Sequence, residues 1–348
     1  MRDVDGSLVD YSRAITLAPS NGAAFSERGL ARFLKEDFTG AEADGTSAIW
    51  LAPRQWPGYE VRAMARYEQQ DLDGALADIE VALTYRPKSP LLLNQRGLIK
   101  TAEEDFIGAL SDFDALIELS GTAHHHYARG RARAESGDLA GALADFTRAI
   151  QLDPRFAAAY SQRAHSKAAL GDLPGALADF GFCLKNETNG ASTYSCRGTV
   201  RQNMGDTAGA LQDFRLSVEA NPTNHYYGSL NLWILRARRG EREEADAELS
   251  ACLLNSPQVK NSQEWPRKIV EFLLGKISQE ALEAAYHSRA PATEHKQQCE
   301  YWYFVGMKHL LSGEKPQAMA AFRNCLKTRR RTDCEYRCAQ SELHELEK

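Results

Sequence analysis

A ten-residue pattern that returns every 34 residues constrains this chain more than any other feature. It reads RDVDGSLVDY, EDFTGAEADG, QDLDGALADI, EDFIGALSDF, GDLAGALADF, GDLPGALADF and GDTAGALQDF. The aspartates at its second position are Asp3, Asp37, Asp71, Asp105, Asp138, Asp172 and Asp206, spaced 34, 34, 34, 33, 34 and 34 residues apart. Chance similarity would drift over six intervals, so the period marks an array of like units. A unit of this size cannot bury its own apolar face, and neighbours must stack to form a continuous core.

Each unit reads as two helices. In the second, Ala142, Leu143, Phe146, Ala149, Ile150 and Leu152 put apolar groups at helical spacing on one face. Asp153-Pro154 then stops it, because proline cannot continue a helix and constrains the residue before it. Pro19, Pro53, Pro87 and Pro222 repeat the stop. The first helix carries Phe25, Tyr59, Leu93, Tyr160 or Tyr194, then four residues on a small residue: Gly29, Ala63, Gly97, Ala164 or Gly198. A small residue there lets the two helices approach closely. Strand-like alternation is absent throughout. A buried Phe or Ile contributes roughly 1.5–3 kcal/mol, so stability accumulates along the array.

The combination of a small residue, GD-x-x-GAL-x-DF and Ala-Ile-x-Leu-x-Pro at this period resembles the tetratricopeptide repeat family over about residues 1–257. The resemblance implies an all-α, right-handed superhelical solenoid of antiparallel helix pairs that binds other proteins and is not an enzyme. Met1 falls where a first helix should be ending, so the opening unit keeps only its second helix. The expectation is a fragment or a displaced start, with any export signal upstream.

After residue 257 the period loosens while helical character continues, which divides the chain into an array (1–257) and a C-terminal helical region (258–348). Helices are expected near 262–275, 278–288, 294–312, 315–328 and 331–347. GEKPQAMAAFRNCL, residues 313–326, reads as a degenerate second helix of the same repeat. EWPRKIVEFLLGKISQEAL, CEYWYFVGMKHLLSGEKPQAMAAF and EYRCAQSELHEL resemble the C-terminal region of the bacterial lipoprotein NlpI and its relatives, over roughly residues 225–348. That resemblance implies a dimeric adaptor at the periplasmic face of the outer membrane, joining cell-wall hydrolases to a protease. The sequence as given carries no such address and reads as cytoplasmic.

A charged lattice runs through six units. Arg28, Arg62, Arg96, Arg129, Arg163 and Arg197 are each followed four residues later by Arg32, Arg66, Lys100, Arg133, Lys167 or Arg201. Sixteen residues after each first arginine come Asp44, Asp78, Asp112, Asp145, Asp179 and Asp213. A four-residue gap stacks both cations on one helical face. One reading is a basic ladder for an acidic ligand. The favoured one pairs arginine with aspartate within or between repeats, where the planar fork suits a carboxylate.

The family's binding groove is lined by particular first-helix positions, and the resemblance carries these onto Phe33, Glu60, Met64, Tyr67, Asn94, Leu98, Tyr127, Arg131 and His165. They differ between repeats, as recognition positions should, and suit an extended peptide or an amphipathic helix. Alternatively, some pack against neighbours or against a tail of this same chain. The clamp by which some relatives hold acidic tails needs cations where this chain has Ser26, Leu30, Glu60, Met64, Leu91 and Gln95, so that role is set aside.

Composition narrows the partners. Lys plus Arg (42) against Asp plus Glu (47) gives a net charge of -5, which disfavours nucleic acid. No run of about 18 apolar residues spans a membrane. Seven scattered cysteines give no disulfide framework. There is no G-x-S-x-G, P-loop, H-E-x-x-H or calcium loop. The His124-His125-His126 run opens a helix and reads as packing plus exposure. Cys334 and Cys338, with His344 nearby, lack a second ligand pair and read as thiols. Arg329-Arg330-Arg331 reads as a solvated loop, and nothing orients Glu294, His295 and Cys299. No catalytic residue, metal or cofactor is therefore assigned. The expected function is a scaffold for other proteins; the rival is a recruiting region cut from a larger enzyme. The open face of the half repeat is expected to be covered by a second copy, as a homodimer, or by the C-terminal helices.

Overall fold

The computed structural model describes residues 3–186, 190–220, 226–255, 265–285, 291–330 and 333–348. Pro222, Arg331 and the segment 256–264 lie outside the described residues, as do the outer ends of three of the helices expected after residue 257. The described residues hold twenty α-helices and no strand. In chain order they are α1 (Val4–Leu17), α2 (Gly22–Leu34), α3 (Phe38–Leu51), α4 (Trp56–Glu68), α5 (Leu72–Tyr85), α6 (Pro90–Ala102) and α7 (Phe106–Ser120). Then follow α8 (Ala123–Ser136), α9 (Leu139–Leu152), α10 (Ala157–Ala169), α11 (Leu173–Asn186), α12 (Ala191–Asn203), α13 (Thr207–Ala220), α14 (Tyr226–Arg238) and α15 (Arg242–Asn255). The last five are α16 (Trp265–Leu273), α17 (Gln279–Glu283), α18 (Pro291–Leu311), α19 (Lys315–Lys327) and α20 (Cys334–Leu346). Adjacent helices pack as pairs, α2 on α3, α4 on α5, α6 on α7, α10 on α11 and α12 on α13 among them. The fold is an all-α solenoid.

The periodic aspartate is a helix cap. Asp3, Asp37, Asp71, Asp105, Asp138, Asp172 and Asp206 each accept a hydrogen bond from the backbone N–H three residues on, at 2.8–3.2 Å. This satisfies one of the orphan donors of the second helix. The donor is always glycine, and space explains why: a Cβ there would lie 2.0–2.4 Å from the aspartate Oδ2. At the other end of the unit, the residue before proline is the cap. Ala18, Ala52, Arg86 and Asp153 sit at φ of -138°, -140°, -137° and -135°, extended as a following proline demands.

The charged lattice holds each pair together. Arg28, Arg62, Arg96, Arg163 and Arg197 grip Asp44, Asp78, Asp112, Asp179 and Asp213 through Nε (2.8–2.9 Å) and Nη2 (2.5–2.7 Å) at once. The second cation of each unit closes on the same carboxylate: Arg32, Arg66, Lys167 and Arg201 at 2.9 Å, Lys100 at 3.5 Å. Arg133 reaches Asp145 at 2.8 Å, and Arg129 reaches Asp114 at 2.7 Å. The six aspartates are buried. The pairing runs within a repeat, from first helix to second.

The chain forms two compact units, Met1–Ala132 with Arg289–Ala292, and Arg133–Ser288 with Thr293–Lys348. This division follows packing, whereas the expected boundary at 257 follows repeat regularity. The first unit's core centres on Ile79, Leu92, Phe113 and Leu116. Its first helix, α1, buries none of its residues, and Val9 and Leu17 stand exposed. The second unit's largest cluster gathers Trp233, Trp265, Tyr301, Phe304 and Phe322. There the degenerate repeat shows itself: a Cβ on Gly306 would lie 2.5 Å from Phe322, as one on Gly198 would lie 2.7 Å from Phe214. In the first unit Gly97 meets Phe113 with the same sixteen-residue separation. The helices expected after residue 257 are found as α16 to α20. No helix among the described residues is long and apolar enough to cross a membrane.

Candidate partner-binding groove

In the first unit, the first helices α2, α4 and α6 present a pocket of about 150 Å³. Phe33 of α2, Met64 and Tyr67 of α4, and Leu98 of α6 line it, with Ala63, Gln95 and Ile99. Met64 and Tyr67 are three residues apart and so share a helix face. The small Ala63 beneath them is fully buried. Four of the nine groove positions expected from the sequence thus converge on one apolar recess.

Glu60, one turn before Met64, is 9% exposed and accepts a hydrogen bond from Gln95 Nε2 at 3.3 Å. Burial pushes its carboxyl up to about 7, the Gln95 hydrogen bond opposes the shift, and the charge of Glu27 adds to it. The Gln95 Oε1 is buried and makes no hydrogen bond within the protein. Asn94 and Tyr127 are half-buried and Arg131 is exposed, and none of the three lines the recess. Gln95 and Ile99 do line it; from the sequence the first is marked only as a clamp position and the second not at all, although their place around Leu98 on α6 could have suggested both.

The second unit uses its first-helix face differently. There α20 lies against α12, and one stripe of it makes the contacts. Cys338 Sγ meets Asn203 Oδ1 of α12 at 3.8 Å, and Glu342 pairs with Arg238 of α14. One turn earlier, Cys334 meets Cys196 of α12 and His165 of α10. Positions 334, 338 and 342 recur every four residues and so form one face of the helix. His165, the ninth expected groove residue, therefore sits beneath the chain's own C-terminal helix. Ser195 and Thr199, on the first helix α12, are buried as well.

Hydrogen bonding from Cys196 and the charge of Arg337 hold the Cys334 thiol well below its ordinary range, while Cys196 is pushed well above it. Cys338 is not part of this group; burial pushes its thiol up. Cys299 and Cys325 lie buried with their sulfurs 3.4 Å apart. His125 Nδ1 bonds the Ser120 carbonyl at the start of α8. Arg330 pairs with Asp333 at 3.0 Å.

Known proteins agree with this architecture. Residues 126–156 match the family model described as Tetratricopeptide repeat. A tetratricopeptide repeat protein from Parabacteroides merdae superposes with a TM-score of 0.55 at 21% identity, covering 66% of this chain and 91% of that one. The pilF protein of Pseudomonas aeruginosa gives 0.52 at 14% identity, covering 62% and 97%. A human IFIT1 dimer, solved with m7Gppp-AAAA, gives 0.55 at 12% identity, covering 88% and 71%. At such identities the likeness is one of fold. No curated protein matches this sequence.

Proposed function

We propose that this tetratricopeptide-repeat chain is a non-catalytic scaffold that captures a peptide or helix of another protein on the first-helix face of its N-terminal unit. The observation that carries the reading is the apolar recess formed by Phe33, Met64, Tyr67 and Leu98 from three successive repeats. A recess of that size takes one large apolar side chain, and the helices around it are held by clamped aspartates and capped ends. Such a surface is ordered before the ligand arrives, so little conformational entropy is lost by the scaffold on binding. Specificity would come from the neighbours of the recess: Glu60 on one side, Asn94, Tyr127 and Arg131 beyond. In the second unit α20 lies against α12 on the corresponding face.

The test uses a displayed library of random peptides selected on the intact chain. Selected peptides should share one large apolar anchor and lose roughly a hundred-fold in affinity, about 2.7 kcal/mol, on a Met64→Glu, Tyr67→Ala, Leu98→Glu variant. Equal binding to both forms would move the site off this face. The finer reading, an envelope adaptor like NlpI for cell-wall hydrolases and a protease, predicts that those two enzyme classes are retained from a bacterial envelope extract by the wild type alone.

A further inference from the structure

Where α20 meets the first-helix face of the second unit, three side chains of metal-ligating type converge. His165 of α10, Cys196 of α12 and Cys334 of α20 each bring one donor atom within 4.8 Å of the other two. Each residue is half-buried. The His165 ring stands edge-on to Phe180, with centroids 5.2 Å apart and planes at 80°, which restricts its rotation. Its Nδ1 is buried and makes no hydrogen bond within the protein. Arg337, one turn along α20, donates from Nη2 to Cys334 Sγ at 3.3 Å.

We propose that His165, Cys196 and Cys334 form a binding site for a single zinc ion that fastens the C-terminal helix to the groove of the second unit. The donor chemistry selects the metal. Two thiolates and an imidazole suit zinc, whereas calcium and magnesium require oxygen ligands. Tetrahedral zinc, with bonds of about 2.3 Å to sulfur and about 2.0 Å to nitrogen, sets neighbouring donors roughly 3.5–3.8 Å apart. The three donors, all within 4.8 Å of one another, stand about 1 Å from that spacing. Two thiolates neutralise the ion, and Arg337 takes the outer-sphere place of a donor to a ligating sulfur. Three protein ligands leave a fourth position for water. The ligands come from three separate helices, two of them from adjacent repeats, so the ion would act as a cross-link that exists only in the folded chain.

The experiment takes the full chain, reduced and stripped with a chelator. It is titrated with zinc against a chromophoric competitor and, separately, with cobalt(II) as a spectroscopic probe. The expected result is one equivalent of zinc, a thiolate-to-cobalt charge-transfer band and a higher Tm with metal than without. Cys334→Ser and Cys196→Ser should each weaken zinc binding by roughly a hundred-fold or more, whereas Cys299→Ser leaves it unchanged. Circular dichroism checks that each variant is folded. Alkylation of the wild type, read by mass spectrometry, needs no variant: zinc should protect Cys196 and Cys334 and leave the rates at Cys299 and Cys325 unaltered. Failure of the reduced wild type to bind zinc overturns the proposal. So does unchanged affinity in folded Cys334→Ser, or a chain isolated with a Cys196–Cys334 disulfide that binds no zinc after reduction.

Discussion

The two units are built from one repeat and spend its exposed face in opposite ways. In the first, the first-helix positions are large and apolar, Phe33, Met64, Tyr67 and Leu98, and they surround an open recess. In the second, the corresponding surface is small, polar or sulfur-bearing, with Ser161, His165, Ser195, Cys196 and Thr199, and a helix of the same chain lies on it. The turns differ as well. Between the two helices of a repeat the chain passes through the left-handed region, and the first unit puts Glu36, Gln70 and Glu104 there (φ 63–64°). The second unit uses Gly137, Gly171, Gly205, Gly240, Gly275 and Gly313 (φ 72–90°), with a non-glycine, Arg329 (φ 58°), only between α19 and α20 among its described residues. What the units share is the scaffold, and what separates them is whether the groove is filled from within.

The shared part gives the largest expected effect and the most direct way to break the comparison. Removing the clamped aspartate leaves two cations facing each other with no carboxylate between them. Asp78→Ala in the first unit and Asp213→Ala in the second should each cost about 3–5 kcal/mol. Urea unfolding combined with hydrogen exchange resolved by segment would locate each loss in its own unit. A large loss at Asp78 with almost none at Asp213 would mean that the units do not share one scaffold.

The lattice also shows what the sequence alone could convey. The period of 34, the proline stops and the pairing of Arg28 with Asp44 were all legible, because each depends on contacts inside one repeat and is written again in the next. The degenerate second helix at 313–326 could be placed for the same reason, while the packing of Gly306 against Phe322 appears only in the structure. The groove was legible only in part: family positions picked out Phe33, Met64, Tyr67 and Leu98, but Gln95 and Ile99 join them through helix rotation. His165, Cys196 and Cys334 carried no local signal, since the third lies more than a hundred residues beyond the other two. The four-residue gap between Cys334 and Cys338 drew attention to a pair that the fold separates, one sulfur turned to Cys196 and the other to Asn203.

A second, smaller effect separates the two groove faces, although burial also raises the carboxyls of Glu300 and Glu335 elsewhere in the second unit. Glu60 is buried and titrates at about 7, while its counterparts Ser161 and Ser195 do not ionise. Its folded pKa lies above the unfolded value of 4.5, so the folded state holds the extra proton between the two. Stability from this group is therefore complete below about pH 4.5 and is lost as pH rises through 7. Discounted for solvent screening, the loss is on the order of 1–2 kcal/mol. Exchange protection in α4 and α6 should fall over that interval while α10 and α12 hold theirs, and Glu60→Gln should flatten the response. Because Glu300 and Glu335 also titrate upward in the second unit, the deciding readout is local: a fall in α4 and α6 that survives Glu60→Gln would remove the distinction.

The smallest effect sharpens the contrast in the turns. Gln70 is exposed, and its N–H bonds the Tyr67 carbonyl at 3.0 Å. The next amide, Asp71, bonds Arg66 at 2.9 Å. Gly205 and Asp206 make the same bonds to Gln202 and Arg201, both at 2.9 Å. The two turns are thus one backbone with and without a Cβ. A Cβ at Gly205 would meet nothing within 4 Å, so only the backbone conformation resists it. Relief of the left-handed penalty is partly offset by the entropy of a more flexible unfolded chain. Gln70→Gly should therefore stabilise by about 0.5–1 kcal/mol, and Gly205→Gln should destabilise by about the same. Thermal unfolding of both exchanges reads the pair directly. Opposite signs would establish that the turn at Gln70 carries conformational strain that the turn at Gly205 lacks; equal signs would show that something beyond the turn chose glutamine at 70.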